Sequence, residues 1–227
     1  MRPSIGVVVP VYNESAILTA CMDRARRLGA ETVIFVDGGS DDGSPDLLRA
    51  SGMRWMRTQR GRAGQMNAGA SAIDNDIILF LHADTDMDSS HIEAIRQAMA
   101  DPQYVGGRFD VRLQGEHPCL GLIALLINLR SRISRIATGD QAIFVRRSVF
   151  MDMGGFADMP LMEDVEFCRR LKRRGRIACL HHKVSTSGRR WERHGIVHTM
   201  VLMWWLRLRF WLGADPASLA RMYRDAR

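Results

Sequence analysis

The chain has 227 residues, 46% hydrophobic and 25% charged, with 32 Lys and Arg against 25 Asp and Glu for a net charge of +7. Enough apolar surface is present to offset the ordering entropy, which excludes intrinsic disorder and suits one sizeable α/β domain. Cys21, Cys119, Cys168 and Cys179 are scattered without a C-x-x-C pair, which argues against a disulfide framework or structural zinc and for the reducing cytosol.

The opening Met-Arg-Pro-Ser lacks a signal-peptide pattern, and no apolar stretch approaches the roughly 20 residues that span a bilayer. The basic, arginine-rich balance predicts an anionic partner: a phosphorylated metabolite, an acidic lipid surface or nucleic acid. No zinc finger, RNA-recognition signature or basic arm supports the last, so no nucleic-acid partner is expected.

Residues 5–11 form a short β-branched run, expected as a buried strand that Pro10 ends. Residues 14–28 carry Ile17, Leu18, Cys21, Ala25 and Leu28 on one helical face, with Asn13 as the expected N-cap and Gly29 as the stop. Strands are then expected at 32–36, 53–56 and 77–81, alternating with helices at 45–50 and 61–73. This β-α-β-α-β-α-β rhythm predicts an α/β fold with a doubly wound, mostly parallel sheet.

After residue 81 the rhythm changes. Helices are expected at 90–100, 120–129 and 163–174, strands at 104–113, 141–145 and 177–180, and a helical tail over 192–212. With no repeat or Gly/Ser linker, the chain reads as one domain. Residues 1–88 form its ligand-binding half, 89–191 complete the site, and 192–227 add a C-terminal helical segment.

Ligands of open parallel sheets sit beyond the carboxyl ends of the strands. Three polar clusters fall there: Tyr12-Asn13-Glu14, residues 37–44, and His82-Ala-Asp84-Thr-Asp86. Any one of them is ordinary turn chemistry; three on one rim point to a site. In an extended segment Asp84 and Asp86 project to the same side, so both carboxylates can face one cation. Hard oxygen donors favour Mg²⁺ or Mn²⁺ bridged to substrate phosphates. Neither a Walker-type phosphate loop nor a G-x-G-x-x-G turn is present, so a P-loop NTPase and a standard dinucleotide binder are excluded.

The runs Val7-Val-Val-Pro-Val-Tyr-Asn-Glu14, Asp37-Gly-Gly-Ser-Asp-Asp-Gly-Ser44, Gly61-Arg-Ala-Gly-Gln-Met-Asn-Ala-Gly69 and Leu81-His-Ala-Asp-Thr-Asp86 resemble the successive motifs of family 2 glycosyltransferases. Gly139-Asp-Gln141 and Pro160-Leu-Met-Glu-Asp-Val-Glu166 continue the resemblance. It covers nearly the whole chain in the expected order and is nearest to a small stand-alone bacterial subgroup.

The resemblance implies a GT-A fold and an inverting transfer from a nucleotide-diphosphate sugar, with UDP favoured, to an acceptor hydroxyl. Pro10, Tyr12 and Glu14 would border the nucleotide, and Asp37 would accept the uracil N–H. Arg62 and Asn67 would lie near base and diphosphate, and Asp84 and Asp86 would hold the metal. Asp164, with Glu163 beside it, matches the catalytic base. Asp140, Gln141, Arg190 and Trp191 would line the acceptor side, and His181 or His182 is a further candidate ligand.

Each assignment has an ordinary structural alternative. Glu163 and Asp164 open a helix, where carboxylates suit the dipole without catalysis. Two other functions compete for the whole chain: a nucleotidyltransferase, and an inactive sugar-nucleotide-binding scaffold. The first lacks its Gly-rich basic loop after the first strand, and the intact acidic pairs weigh against the second. Residues 200–212 are apolar nearly all round, which fits a helix packed on the sheet or on a second subunit of a homodimer, or a helix lying on the inner face of the cell membrane. A lipid-linked acceptor would agree with the last.

Overall fold

In a computed structural model of the protein, which describes residues 2–188, 191 and 195–225, the apolar runs of the first half become the middle of the sheet. The strands β1 (Ile5–Val11), β2 (Thr32–Asp37), β3 (Trp55–Arg57) and β4 (Ile77–Phe80) are parallel, with β1 between β2 and β4. They are joined by α1 (Ser15–Arg27), α2 (Ser44–Ala50) and α3 (Arg62–Ser71). The two-residue strand β5 (Thr85–Asp86) and helix α4 (Ser89–Met99) follow.

Strand alternation sorts the core into two layers. Val7, Val9 and Val11 pack with Leu18 and Cys21 of α1, Leu48 of α2 and Ile92 of α4. Val8, Ile34 and Val36 face the other way, onto Ala63, Met66 and Ala70 of α3. A side chain at Gly69 would overlap Val8 and Val36, which is why a helix of small residues lies there.

The second half adds β6 (Tyr104–Gln114), α5 (Leu120–Ser134), a single 3₁₀ turn at Gly139–Gln141, β7 (Phe144–Arg146), α6 (Arg147–Asp152), α7 (Glu163–Leu171) and β8 (Arg176–Ser187). Two further helices, α8 (Ile196–Trp211) and α9 (Pro216–Asp225), close the described chain. The eight-stranded sheet runs β3-β2-β1-β4-β7-β6-β8-β5. β7 is antiparallel to β4 and β6, and β5 to β8. Phe80, Phe150, Phe156 and Phe167 stack where α6 and α7 meet β4, with centroids 4.5 Å apart for Phe156 and Phe167.

Several boundaries differ from the sequence expectation. Pro10 lies inside β1. Beyond Val8 the strand has only β2 as neighbour, so its missing donor costs no bond on the β4 side. Asn13 is no N-cap: it takes a left-handed conformation (φ 53°), and Glu14 occupies the cap. The expected strand 141–145 starts only at Phe144, because the chain before it is wound into the 3₁₀ turn. β8 continues to Ser187: His181 and His182 form a bulge opposite the Phe109–Asp110 step, after which Val184 and Thr186 turn inward again. The expected C-terminal helical segment divides in two: α9 starts anew at Asp215-Pro216, with the Asp215 carboxylate accepting the Ala217 and Ser218 amides.

Candidate active site

The rim at the carboxyl ends of β1 and β2 is tightly hydrogen-bonded. Asp37, fully buried at the end of β2, accepts the backbone N–H groups of Gly39 and Ser40, and Arg57 lies 3.6 Å away. The Gln65 amide of α3 donates to the carbonyls of Val11 and Val36 at 2.8 Å each, tying the two strand ends together. Asn13 exchanges two hydrogen bonds with Asp41, and Asp42 accepts the Ser15 amide and the Ser44 hydroxyl. Burial opposes charge on Asp42, yet these bonds outweigh it and hold its carboxyl well below the usual range. Tyr12 lies at this rim under the Arg60 guanidinium, 4.3 Å from its ring centroid, and Pro10 is half-buried beside it.

The second acidic cluster is built on the loop after β4. The Thr85 amide donates to the His82 carbonyl and closes a turn, so Asp84 sits in that turn and only Asp86 in an extended strand. The expected shared side of an extended D-x-D is therefore replaced by a turn-and-strand arrangement. Arg24 of α1 holds this loop from below, donating to the Ala83 carbonyl at 3.1 Å and lying 3.5 Å from the Asp86 carboxylate. Asp84, Glu14 and Arg24 all act on buried Cys21. Desolvation chiefly pushes that thiol up to about 11, Arg24 opposes, and the two carboxylates add to the rise.

The donor chemistry fits a small hard cation. Two carboxylates suffice for an ion that completes its shell with water and substrate phosphate. No group of three or more His, Cys, Asp or Glu gathers into a ligand set among the described residues. His181 is engaged elsewhere: it meets Arg132 at 2.8 Å and Asp110 at 3.8 Å.

The third cluster completes the site from the second half. One cleft is lined by Arg62, His82, Gly139, Glu163 and Asp164 over a floor of Phe80 and Phe156. Met162 takes a left-handed conformation (φ 70°) and caps α7, which lifts Glu163 and Asp164 onto its first turn. The Asp164 carboxylate accepts the Gly139 and Val165 amides at 2.8 and 2.7 Å. Burial, reinforced by the neighbouring Glu163 and Asp140 charges, still pushes it up to about 7 against those hydrogen bonds.

Gly139 is fixed by close approach, since a Cβ there would overlap the His82 ring. The 3₁₀ turn is thereby clamped between the loop after β4 and the Asp164 carboxylate. Arg130, near the end of α5, sits in the fields of Asp140 and Asp164; its Nε and Nη2 and the Asp140 Oδ1 are buried without hydrogen-bond partners. Desolvation lowers the Arg130 pKa, and the two carboxylates counter it.

Three expected contact residues are turned away from the cleft. Gln141 is fully buried, donating to Phe109 and Ser131, and supports the turn. Asn67 uses its amide on both the N–H and the carbonyl of Phe156. Asp37 is enclosed by its own loop, so it shapes the rim without facing it. Trp191 packs against the apolar cluster between β6 and the start of α5, and Arg190 lies outside the described residues.

His82, Arg24 and Arg130 had been given no role from sequence. His82 was legible as the residue two before the first Asp of D-x-D. An arginine at the end of an otherwise apolar helix was the signal for Arg130, and Arg24 offered none.

Comparison with known proteins identifies the family and the fold. Undecaprenyl-phosphate 4-deoxy-4-formamido-L-arabinose transferase of Serratia proteamaculans is 29% identical over 93 residues, and that of Yersinia pestis 31% over 93. Each alignment spans 35% of this chain and 28% of the length of the relative. Among solved structures, a Pyrobaculum calidifontis mannosyltransferase in complex with GDP-Man and Mn²⁺ superposes with a TM-score of 0.63 at 18% identity, covering 82% of this chain and 57% of that one. TarS 1–349 of S. aureus in complex with UDP-GlcNAc gives 0.60 at 17%, covering 81% and 58%. The fold is of the GT-A type that these enzymes share. Residues 6–157 match the model of Glycosyl transferase family 2, and the chain belongs to that family.

Proposed function

We propose that the protein is an inverting glycosyltransferase that moves a sugar from a nucleotide-diphosphate donor, UDP-sugar first among them, to an acceptor hydroxyl on a lipid-linked molecule at the inner membrane face. One observation carries the reading: the Asp164 carboxylate, with a pKa pushed up to about 7, shares a cleft with Arg62 and His82. His82 in turn begins the loop bearing Asp84 and Asp86.

In this reading Tyr12 and Glu14 border the nucleotide on a rim shaped by Pro10, Asp37 and Asn67. Arg62 meets the diphosphate with a charge-matched guanidinium. Asp84 and Asp86 would hold Mn²⁺ or Mg²⁺, which supplies Lewis-acid stabilisation of the departing diphosphate. Asp164 takes the acceptor proton while the acceptor oxygen bonds to the anomeric carbon from the face opposite the diphosphate. The carbon–oxygen bond to the diphosphate breaks, the nucleoside diphosphate leaves, and the configuration inverts. Burial above all, with Glu163 and Asp140 adding to it, raises the affinity of Asp164 for that proton to a pKa of about 7, near working pH, where a general base is most effective. Gly139 aims the carboxylate through its amide.

The lipid-linked acceptor is carried over from the relatives, whose names specify undecaprenyl phosphate, and this reading assigns Asp140 and Trp191 to the acceptor side. The test is release of nucleoside diphosphate from a panel of UDP- and GDP-sugars with lipid acceptors, with Mn²⁺ or EDTA, followed by anomeric analysis of the product. Release with inversion is expected. Retention of configuration, or no turnover of any donor, would defeat the proposal.

A further inference from the structure

Among the described residues, the large apolar side chains that the fold leaves exposed lie on α5 and on α8 with its C-cap Leu212. Their spacing is regular. On α8, Val197, Val201, Trp204, Leu208 and Trp211 recur at i, i+4, i+7, i+11 and i+14, and Trp204 and Trp211 are 59% and 72% exposed. On α5, Leu122, Leu125, Leu129 and Ile133 recur at i, i+3, i+7 and i+11, with Ile133 77% exposed. Each helix thus carries an apolar stripe facing outward, the reverse of a helix packed on its own core.

The two helices are tied into the same part of the fold by their buried residues. Ile196, at the start of α8, packs against the cluster formed by Val111 and Leu113 of β6 with Leu120, Ile123 and Ala124 of α5. Farther along, Leu206 of α8 packs with Met162 and Val165, and Ile136, just past α5, joins the same cluster. Met162 and Val165 flank Glu163 and Asp164, so the platform rests on the turn that carries the candidate base.

Charge identifies the occupant. No Asp or Glu occurs between Glu116 and Asp140, or between Glu192 and Asp215, while Arg135, Arg207 and Arg209 fall within those stretches and Arg132 is paired with Asp110 at 2.7 Å. Arg132 and Arg135 join Arg176 in lining a cleft of about 280 Å³ at the foot of α5. A second copy docked face to face would set Arg135, Arg207 and Arg209 against their own images with no acid within these stretches to meet them. An anionic lipid surface meets them with phosphates, and Trp rings favour the headgroup level.

Neither helix crosses the bilayer: among the described residues no helix is long and apolar enough. At 16 residues α8 extends only about 24 Å, against about 30 Å of hydrocarbon.

We infer that the exposed faces of α5 and α8 form a platform that docks the protein on an anionic bilayer, opening the Asp164 cleft toward an acceptor held in that membrane. The purpose rests on the lipid-acceptor reading above, whereas the surface is tested independently of it.

The full chain is floated with vesicles of phosphatidylcholine containing phosphatidylglycerol and with phosphatidylcholine alone, at about 0.1 M and about 1 M salt. Flotation is expected with the anionic vesicles at low salt, with at least a several-fold loss at high salt. The double variant Trp204→Gln, Trp211→Gln is expected to bind about tenfold less, or weaker still. If that variant fails to fold, quenching of wild-type Trp fluorescence by brominated lipid reads the same contact. The docking surface is overturned if no vesicle floats the protein at low salt, and a stable dimer in solution would then assign the stripes to a second copy. It is equally overturned if the Trp variant floats undiminished, or if brominated lipid fails to quench. Donor turnover measured in parallel separates the two readings: turnover without flotation sinks the platform alone, and flotation without turnover sinks the transfer reading alone.

Discussion

The two acidic regions of this site are built in opposite ways. In the loop after β2, Asp37 and Asp42 have their oxygens engaged by backbone amides and hydroxyls of the same rim. Around α7 and the 3₁₀ turn, Glu163, Asp164 and Asp140 crowd together, and buried atoms of Arg130 and Asp140 lack partners. The first arrangement stabilises the fold through satisfied hydrogen bonds. The second places charge where the fold gains least from it, a pattern that marks chemistry more often than structure.

The contrast breaks most directly at Asp164. Asp164→Asn should keep the fold and donor affinity while lowering kcat by roughly 10²–10⁴, the usual worth of a general base. Steady-state kinetics with calorimetric donor binding checks this, and near-normal turnover would reduce the cluster to a helix-capping feature.

The same residue should reveal itself through pH. Its folded pKa, about 7, is raised above the ordinary 3.8, so the unfolded chain ionises first and the ionised form is the costly one when folded. Wild-type stability should therefore decline as pH rises from about 4 to about 7, with the penalty fully present above that. Asp164→Asn should be the more stable protein at pH 8, by on the order of a few kcal/mol, and should lose that advantage near pH 4. Denaturant midpoints across pH measure it. Turnover at low substrate should rise through about pH 7 over the same range.

On the satisfied side the expected effect is structural. Asp37→Ala would leave the Gly39 and Ser40 amides unpaired and should cost about 1–3 kcal/mol of stability, readable as a lowered denaturant midpoint. Smaller still is the effect at Asp86. Mn²⁺ should strengthen UDP binding by about tenfold, roughly 1.4 kcal/mol, and Asp86→Ala should remove that gain in calorimetry. Equal UDP affinity in EDTA would detach the Asp84–Asp86 loop from metal binding.

The half that is built from local rules was the legible one. Buried parallel strands read as continuous Val and Ile runs, so β1, β2 and β4 and the polar rim beyond them could be found from sequence within a residue or two. The second half depends on long-range contacts. The bulge at His181 and His182 hid the continuation of β8, and the 3₁₀ turn delayed β7 because Gln141 is anchored by Phe109 and Ser131 from distant elements. The clamp of Gly139 between His82 and Asp164 joins residues far apart in the chain. Spacing carries no trace of such a contact. Motif position was likewise silent on which polar residues face outward, and Asp37, Asn67 and Gln141 turned out to hold the frame.

Cysteine accessibility follows from the same packing and offers a practical handle. Cys21 and Cys168 are buried, and burial pushes their thiols up to about 11 and about 12, while Cys179 is half-buried. Cys119 is exposed and caps the start of α5, immediately before its leucine stripe. Thiol reactivity requires both access and thiolate, so a maleimide dye should attach first at Cys119 in the unaltered chain. That would put an environment-sensitive reporter at the lip of the apolar platform with no engineered residue at all.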